Sequence, residues 1–213
     1  MKKSLLILVF LTSATLLTAQ EKRLNAYGSY MFDDSFDNGY TTNGFDYYYG
    51  KVAGGAQWGA GLEFKVREDI SAELLYLHQD ATAAVNYYST VGVSRNMDLG
   101  INYYLLGLNR YMKTGQVEPY AGVLLGAVGY VNRNPAVNEP TSATKFALGF
   151  RLGADIWVSD KVAIKLQAQF LSSIQGFGGG FYFGTGGSGA GVSTYSTITQ
   201  FGLGGGLAFK IGE

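Results

Sequence analysis

The chain has 213 residues, with 16 basic and 16 acidic side chains, 31 glycines, 16 tyrosines and no cysteine. The balanced charge argues against nucleic acid as a partner, and the lack of cysteine excludes disulfides and thiolate metal sites. The glycine and aromatic content is typical of closely packed, twisted strands. We therefore expect one all-β domain without a cofactor.

The first 20 residues predict a secretory signal peptide. Met1-Lys2-Lys3 is positively charged, the run from Ser4 to Leu17 is apolar, and Thr18-Ala19-Gln20 is a small-residue exit. The apolar run falls short of the roughly 18–20 residues of a membrane-spanning helix, which favours cleavage near Ala19 or Gln20 over an uncleaved anchor. Cleavage removes two lysines and no acid, so the remaining domain, residues 21–213, carries a slight negative charge.

The remaining chain divides into stretches of alternating apolar and polar residues, which predict eight β-strands. The expected strands are 23–33, 52–66, 70–80, 96–112, 117–131, 145–158, 162–174 and 198–211. The connections are alternately short and long. The short ones are 67–69, 113–116 and 159–161, and the long ones are 34–51, 81–95, 132–144 and 175–197.

This rhythm predicts an eight-stranded antiparallel up-and-down transmembrane β-barrel. Bacterial barrels have short periplasmic turns and long extracellular loops, and a periplasmic N-terminus places every connection here on its expected side. In the last strand Phe201 and Leu203 alternate with Gly202 and Gly204. A soluble sandwich also alternates, but glycine-rich polar faces suit the crowded interior of a small barrel. The facing of the first and fifth predicted strands stays open.

One segment resembles a known family. The stretch Val117-Glu-Pro-Tyr-Ala-Gly-Val-Leu-Leu-Gly-Ala, after a short turn, is similar to a segment common in small outer-membrane barrels. Residues 21–213 resemble the OmpA transmembrane-domain, OmpX and OmpW type, and with the Thr18-Ala19-Gln20 exit they resemble porin-family proteins of Bacteroidota. The C-terminal Phe209-Lys-Ile-Gly-Glu departs from the terminal aromatic residue of proteobacterial barrels.

The resemblance implies a monomeric protein integral to the outer membrane of a Gram-negative cell. Its expected partners are outer-membrane lipids and lipopolysaccharide, and the barrel-assembly machinery during biogenesis.

Charged residues on the inward faces form the main candidate site. The lumen of an eight-stranded barrel is filled by side chains, and isolated charges within a membrane are costly, so these residues should pair. We predict a lumen charge network of Glu63, Glu73, Arg151, Lys165, Arg110, Asp98 and Asp155. One hypothesis is a salt-bridge plug whose rearrangement gates small solutes. The other, which we favour, is a polar core that only packs the interior and sets strand register.

His78, the single histidine, raises the possibility of catalysis. Lipid A deacylases and palmitoyltransferases resemble this fold and use a histidine with a serine and an acid. A catalytic base must lie within hydrogen-bond distance of its nucleophile, and no serine neighbours His78 in sequence. The distant candidates are Ser89, Ser94, Ser172 and Ser173. We expect an interfacial, non-catalytic histidine.

Two loop motifs carry weaker signals. The first loop contains Asp33, Asp34, Asp37, Asn38 and Asp46, but their spacing does not match a calcium-binding EF-hand loop. Residues 184–189 fit the dinucleotide fingerprint of glycines, yet no helix is expected after them. We expect a solvated acidic loop and a flexible outer loop.

The sequence thus favours a non-enzymatic outer-membrane barrel with a filled lumen and a structural or surface-interaction role. A narrow channel for small or hydrophobic solutes is the alternative, and a lipid-modifying enzyme is the third hypothesis.

Overall fold

The computed structural model describes residues 21–38, 47–88, 93–112, 114–133, 142–174, 180–184, 187–191 and 198–211. The strands in chain order are β1 (Lys22–Met31), β2 (Asp34–Asn38), β3 (Tyr47–Val52), β4 (Gly55–Lys65), β5 (Ile70–Tyr88), β6 (Val93–Tyr111), β7 (Val117–Asn132), β8 (Ser142–Trp157), β9 (Val162–Ile174), β10 (Gly180–Gly184), β11 (Gly187–Gly191) and β12 (Ile198–Ile211). The predicted signal peptide lies outside the described residues.

Eight strands close into an antiparallel barrel, which confirms the predicted fold. The order around the barrel is β1, β4, β5, β6, β7, β8, β9 and β12, and β12 pairs with β1. We followed the paired residues from strand to strand once around the barrel. The circuit starts on β12 at Lys210 and returns to β12 at Gln200, ten residues away. This stagger tilts the strands relative to the barrel axis.

The two ends of the barrel differ. Three short turns lie at one end, at residues 66–69, 114–116 and 158–161, and we call it the short-turn end. Gly115 has a φ of 82°, a left-handed conformation that glycine adopts without steric cost. The opposite end, where the predicted long connections lie, is the long-hairpin end. No helix among the described residues is long and apolar enough to cross a membrane.

The predicted long connections are wrong in part, because strand pairing continues through them. Residues 81–88 and 93–95 belong to β5 and β6, which remain paired as far as Tyr87 and Val93. β2 and β3 form a hairpin within 34–51, and β3 continues along β5 beyond the end of β4. β10 and β11 form a separate hairpin within 175–197. Backbone pairing needs no apolar periodicity, so alternation did not reveal these extensions.

The alternation predicted for the outer wall is confirmed. Leu148, Leu166 and Leu203 are 42%, 54% and 50% exposed on the outside, whereas Arg151 and Lys165 are buried inside. The structure also settles the two open strands. On β7, Tyr120 and Leu124 point inward, and on β1, Arg23, Asn25 and Tyr27 do so.

The interior is more apolar than expected. Between the charged residues and the long-hairpin end, aliphatic and aromatic side chains form a buried cluster that includes Leu77, Ile101, Tyr103, Leu124 and Leu171. These residues belong to β5, β6, β7 and β9. The lumen is therefore packed much as a protein core is packed.

Candidate functional site

Six buried charged side chains meet inside the barrel toward the short-turn end. They are three cations and three anions, and together we call them the lumen charge layer: Arg23, Glu63, Glu73, Arg151, Asp155 and Lys165. The charges balance, so the layer satisfies the requirement that ions removed from water be paired.

Glu73 and Arg151 form the central ion pair. Nη2 of Arg151 contacts Oε2 of Glu73, and the two side chains are 1% and 0% exposed. Glu73 lies on β5 and Arg151 on β8, with β6 and β7 between them on the shorter path around the barrel. The pair therefore spans the lumen rather than joining neighbouring strands.

Neutral side chains complete the bonding of this pair. The Tyr27 hydroxyl donates to Oε1 of Glu73 at 2.5 Å, and the Asn25 amide donates to the same oxygen at 2.8 Å. Arg151 Nε donates to Oδ1 of Asn109 at 3.0 Å. Hydrogen bonds of this kind are what a buried ion pair needs to offset the loss of hydration.

Asp155 and Lys165 form a second pair on neighbouring strands. Lys165 Nζ lies 2.8 Å from Oδ1 and 2.9 Å from Oδ2 of Asp155. The ammonium also lies 4.9 Å from the centre of the Tyr120 ring, within cation–π range. Arg23 on β1 reaches Asp155 at 3.4 Å, which ties β1 to β8 across the lumen.

Glu63 is held mainly by neutral donors. Asn25 donates its amide to Glu63 at 2.8 Å and to Glu73 at 2.8 Å, so one side chain links two carboxylates. The Ser71 hydroxyl also donates to Glu63. Glu63 and Glu73 face each other in the β4–β5 register, which would be repulsive without these donors and the nearby cations.

The structure brings together five of the seven residues predicted for the charge network. Arg110 and Asp98 do not join them, so that part of the prediction is wrong. The Arg110 side chain is 76% exposed and pairs with Asp69 at 3.2 Å, and Asp98 is also exposed. Both occupy outward positions of β6, because Asn109 takes the inward position next to Arg110.

Sequence reasoning missed the contributions of β1 to this layer. Arg23, Asn25 and Tyr27 alternate on its inward face and contact Asp155, Glu63 and Glu73. The signal was present as a polar residue at every second position. The apolar residues between them, Leu24 and Ala26, are too few to settle the facing from sequence.

Glu21 links three strands by ion pairs at the short-turn end of the barrel wall. It accepts from Arg23 Nε at 2.8 Å and from Lys65 Nζ at 3.2 Å, and Lys210 Nζ lies 3.9 Å away. Burial raises the pKa of Glu21, but the hydrogen bonds and charges of Arg23 and Lys65 outweigh it and hold this pKa below its ordinary value. The carboxylate thus joins β1, β4 and β12.

His78 faces outward on β5 near the long-hairpin end. Its Nδ1 lies 2.8 Å from Oδ1 of Asn102 and its Nε2 lies 3.3 Å from Asp80. Trp58 covers it, with ring centres 5.3 Å apart. Its described hydrogen-bond partners include no serine, and Ser172 and Ser173 lie on β9, across the barrel from β5. The side chains of Ser89 and Ser94 lie outside the described residues.

The acidic first loop is partly described. Asp33 accepts from the Gly54 amide at 2.6 Å, and Asp34 accepts from the Thr199 amide at 2.7 Å. These two carboxylates thus anchor backbone. The side chain of Asp37 and all of Asp46 lie outside the described residues. No cluster of three or more metal-ligating His or acidic residues occurs in the described part of the chain.

No family model and no curated protein matches this chain. Among solved structures, Neisserial surface protein A aligns with a TM-score of 0.58 at 13% identity, over 89% of this chain and 97% of that one. OprG of Pseudomonas aeruginosa aligns with a TM-score of 0.57 at 12% identity, over 92% and 98%. The N-terminal β-barrel domain of OprF from the same organism aligns with a TM-score of 0.50 at 12% identity, over 90% and 97%. These similarities show the fold, a closed antiparallel barrel of the outer-membrane kind.

Proposed function

We propose that this chain is a non-enzymatic integral outer-membrane β-barrel protein with a sealed lumen. Its role is structural or is exerted through the hairpins at its long-hairpin end. In this proposal the N-terminus and short turns are periplasmic and residues 34–51, 81–95, 132–144 and 175–197 are extracellular. The kinship with OmpA, OmpX and OmpW, the origin in Bacteroidota, the monomeric state and the lipopolysaccharide and assembly-machinery partners belong to the same proposal.

The observation that carries this proposal is the cross-lumen ion pair of Glu73 and Arg151. Both groups are buried and hydrogen-bonded to Asn25, Tyr27 and Asn109. Opening a path for solutes at this depth of the lumen therefore requires breaking these hydrogen bonds and the ion pair. Separating a buried ion pair exposes each charge to a low-dielectric interior, which is strongly unfavourable. Above it, packed side chains such as Leu77 and Leu124 fill the lumen.

The outer wall supports the membrane location. Large apolar side chains on every barrel strand described are exposed on the outside, among them Trp58, Leu74, Tyr104, Phe150 and Leu207. Soluble proteins rarely expose a continuous apolar surface of this extent. Lipid contact accounts for it, since lipid replaces water around a barrel of this pattern.

Planar-bilayer conductance of the refolded residues 21–213 tests the sealed lumen. We expect no unitary steps from the wild type, steps from Glu73→Ala, and none from the control Glu68→Ala, which alters an exposed turn residue. Heat-modifiable electrophoretic mobility checks that each protein is folded. Steady steps from the wild type would favour the channel alternative, and silence from folded Glu73→Ala would show that this layer is not the seal.

A further inference from the structure

A second group of polar side chains points into the lumen, nearer the long-hairpin end than the lumen charge layer. It consists of Gln79 on β5, Lys145 on β8 and Gln200 on β12, and we call it the lumen triad. These side chains are 0%, 6% and 0% exposed. No two of them lie on neighbouring strands. On β5, Gln79 is the next inward residue after Leu77, so the apolar cluster separates the triad from the charge layer.

The members of the triad lack polar partners. Within the described part of the chain, neither the nitrogen nor the oxygen of the Gln79 and Gln200 amides has a hydrogen-bond partner. Lys145 Nζ lies 5.8 Å from the Tyr130 ring centre, with no described carboxylate within ion-pair distance. Other lumen glutamines are bonded, as Gln167 is to a tyrosine hydroxyl at 3.1 Å. Buried amides and buried charges without partners are costly, so these three groups call for a common partner.

The strand register fixes the depth of the triad. Across β7 and β6, Lys145 lies in register with Leu77, two residues short of Gln79. Across β9, the row through Ala147 reaches β12 two residues beyond Gln200, on the side of the long-hairpin end. Each step between strands also changes the level, because the stagger of ten residues is spread over eight strands. Together these offsets place Gln79 and Gln200 at one level and Lys145 roughly 4 Å nearer the long-hairpin end.

The same geometry spaces the triad around the lumen. With a strand tilt of about 40°, Gln79 and Gln200 lie about a third of the circumference from Lys145, on opposite sides of it. A barrel with this strand number and stagger has a backbone radius of about 8 Å. Lysine and glutamine side chains are long enough to approach the axis at that radius. The polar ends of the triad therefore converge on the barrel axis.

The surroundings of the triad favour an anion. The buried inward residues around it are neutral, among them Met31, Ile101, Val128 and Ser173. Asp34 lies beyond the end of β1, and its carboxylate already accepts from the Thr199 amide at 2.7 Å. The ammonium has three N–H donors, and each amide can turn an N–H group toward the axis. The triad thus offers one positive charge and several donors.

We propose that Gln79, Lys145 and Gln200 bind one small monovalent anion, of the size of chloride, on the barrel axis. Lys145 supplies the opposite charge, and each amide donates one N–H. Charge-assisted hydrogen bonds of this kind are about twice as strong as neutral ones. The anion enters from the long-hairpin end, so its binding needs no opening of the lumen charge layer.

Urea unfolding of the refolded residues 21–213 in lipid vesicles tests this site. Sodium chloride replaces sodium gluconate at constant ionic strength, because gluconate is too large for the triad. A ligand that binds only the folded protein raises the unfolding midpoint as its concentration rises. We expect a higher midpoint in chloride for the wild type. This shift should be lost in Lys145→Met and reduced in Gln79→Leu and Gln200→Leu.

The chain offers matched controls. Gln167→Leu removes a buried lumen glutamine that is already bonded, and Lys161→Met removes an exposed lysine at a short turn. Both variants should keep the full chloride shift. No shift in the wild type, or an equal shift in every variant, overturns the site. A loss of stability of Lys145→Met in gluconate also overturns it, since a carboxylate of the chain would then hold Lys145. None of these results bears on the proposed sealed lumen, which conductance tests separately.

Discussion

Arg151 and Glu73 meet in the middle of the barrel from strands that are not neighbours, and neither side chain is more than 1% exposed. A contact of this kind acts on the whole barrel, because it joins β5 to β8 where no backbone ladder does. Its free energy is the balance of a large desolvation cost and a large attraction. Removing one partner is therefore expected to cost more than removing both.

A double-mutant cycle on this pair checks that balance. Glu73→Gln and Arg151→Met each leave an unpaired buried charge, and each should lower the free energy of unfolding by about 3–5 kcal/mol. The double variant should lose less than the sum of the two. Urea unfolding in lipid vesicles, followed by tryptophan fluorescence, measures all four proteins.

The exposed pair Arg110–Asp69 is the control for this cycle. Its nitrogen–oxygen distance is 3.2 Å, but its side chains are 76% and 44% exposed. Asp69→Asn and Arg110→Met should each change the free energy of unfolding by no more than about 1 kcal/mol. A coupling energy at Glu73–Arg151 as small as at this surface pair would contradict a cross-lumen role.

Two buried lysines should respond differently to the same substitution. Lys165 is paired with Asp155, whereas Lys145 has the Tyr130 ring 5.8 Å away and no described carboxylate within ion-pair distance. Lys165→Met leaves Asp155 with only the longer contact to Arg23, at 3.4 Å, and should destabilise the barrel by about 3 kcal/mol. Lys145→Met removes an unpaired buried charge and should be neutral or stabilising in the same unfolding measurement. A loss at Lys145 as large as at Lys165 would mean that Lys145 has an anionic partner.

Gly61 gives the charge layer the space that it needs. A Cβ at this position would collide with the Glu73 carboxylate, whereas a Cβ at Gly28 meets nothing within 4 Å. Gly61→Ala should therefore displace Glu73 and destabilise the barrel by about 1–3 kcal/mol, and Gly28→Ala should leave it nearly unchanged. The midpoints of urea unfolding of the two variants test this prediction. Equal midpoints would contradict the close approach of the Glu73 carboxylate to Gly61.

The depressed pKa of Glu21 predicts a pH dependence at the short-turn end. The folded pKa lies below the ordinary value of 4.5, so the contribution of Glu21 is complete above that value and is lost as the pH falls through the folded pKa. The difference in stability between wild type and Glu21→Gln, at most about 1 kcal/mol, should be constant at neutral pH and shrink in acid. Unfolding from about pH 3 to 7 measures it. A stability difference that grows as the pH falls would contradict a lowered pKa of Glu21 in the folded protein.

Trp58 reports on the surroundings of the outer wall. It is 58% exposed and faces outward, whereas Trp157 lies at the short-turn end with Lys210 Nζ 4.0 Å from its ring centre. In Trp157→Phe, lipids brominated in the acyl chains should quench the remaining fluorescence strongly. In Trp58→Phe the quenching should be weaker. Stronger quenching of Trp58 by aqueous iodide would contradict a lipid-facing wall.

Residue alternation was enough to predict the eight barrel strands, their order and most of their facings, but not the β2–β3 and β10–β11 hairpins. Alternation along β8, β9 and β12 placed Phe150, Leu166 and Leu203 outside, because a two-residue period admits only two faces. It also found Glu63, Glu73, Arg151, Asp155 and Lys165, since charges on an inward face stand out against glycine. Alternation did not settle the facing where both faces carry apolar residues, as on β7, or where the outward face carries too few of them, as on β1.

Which charges meet follows from the folded barrel and cannot be read from the alternation of residues. Whether Glu73 pairs with Arg151 or with Lys165 depends on the ten-residue stagger around the barrel, and that stagger is a property of closure rather than of any strand. The same holds for Arg110 and Asp98, whose outward positions follow from the register of β6.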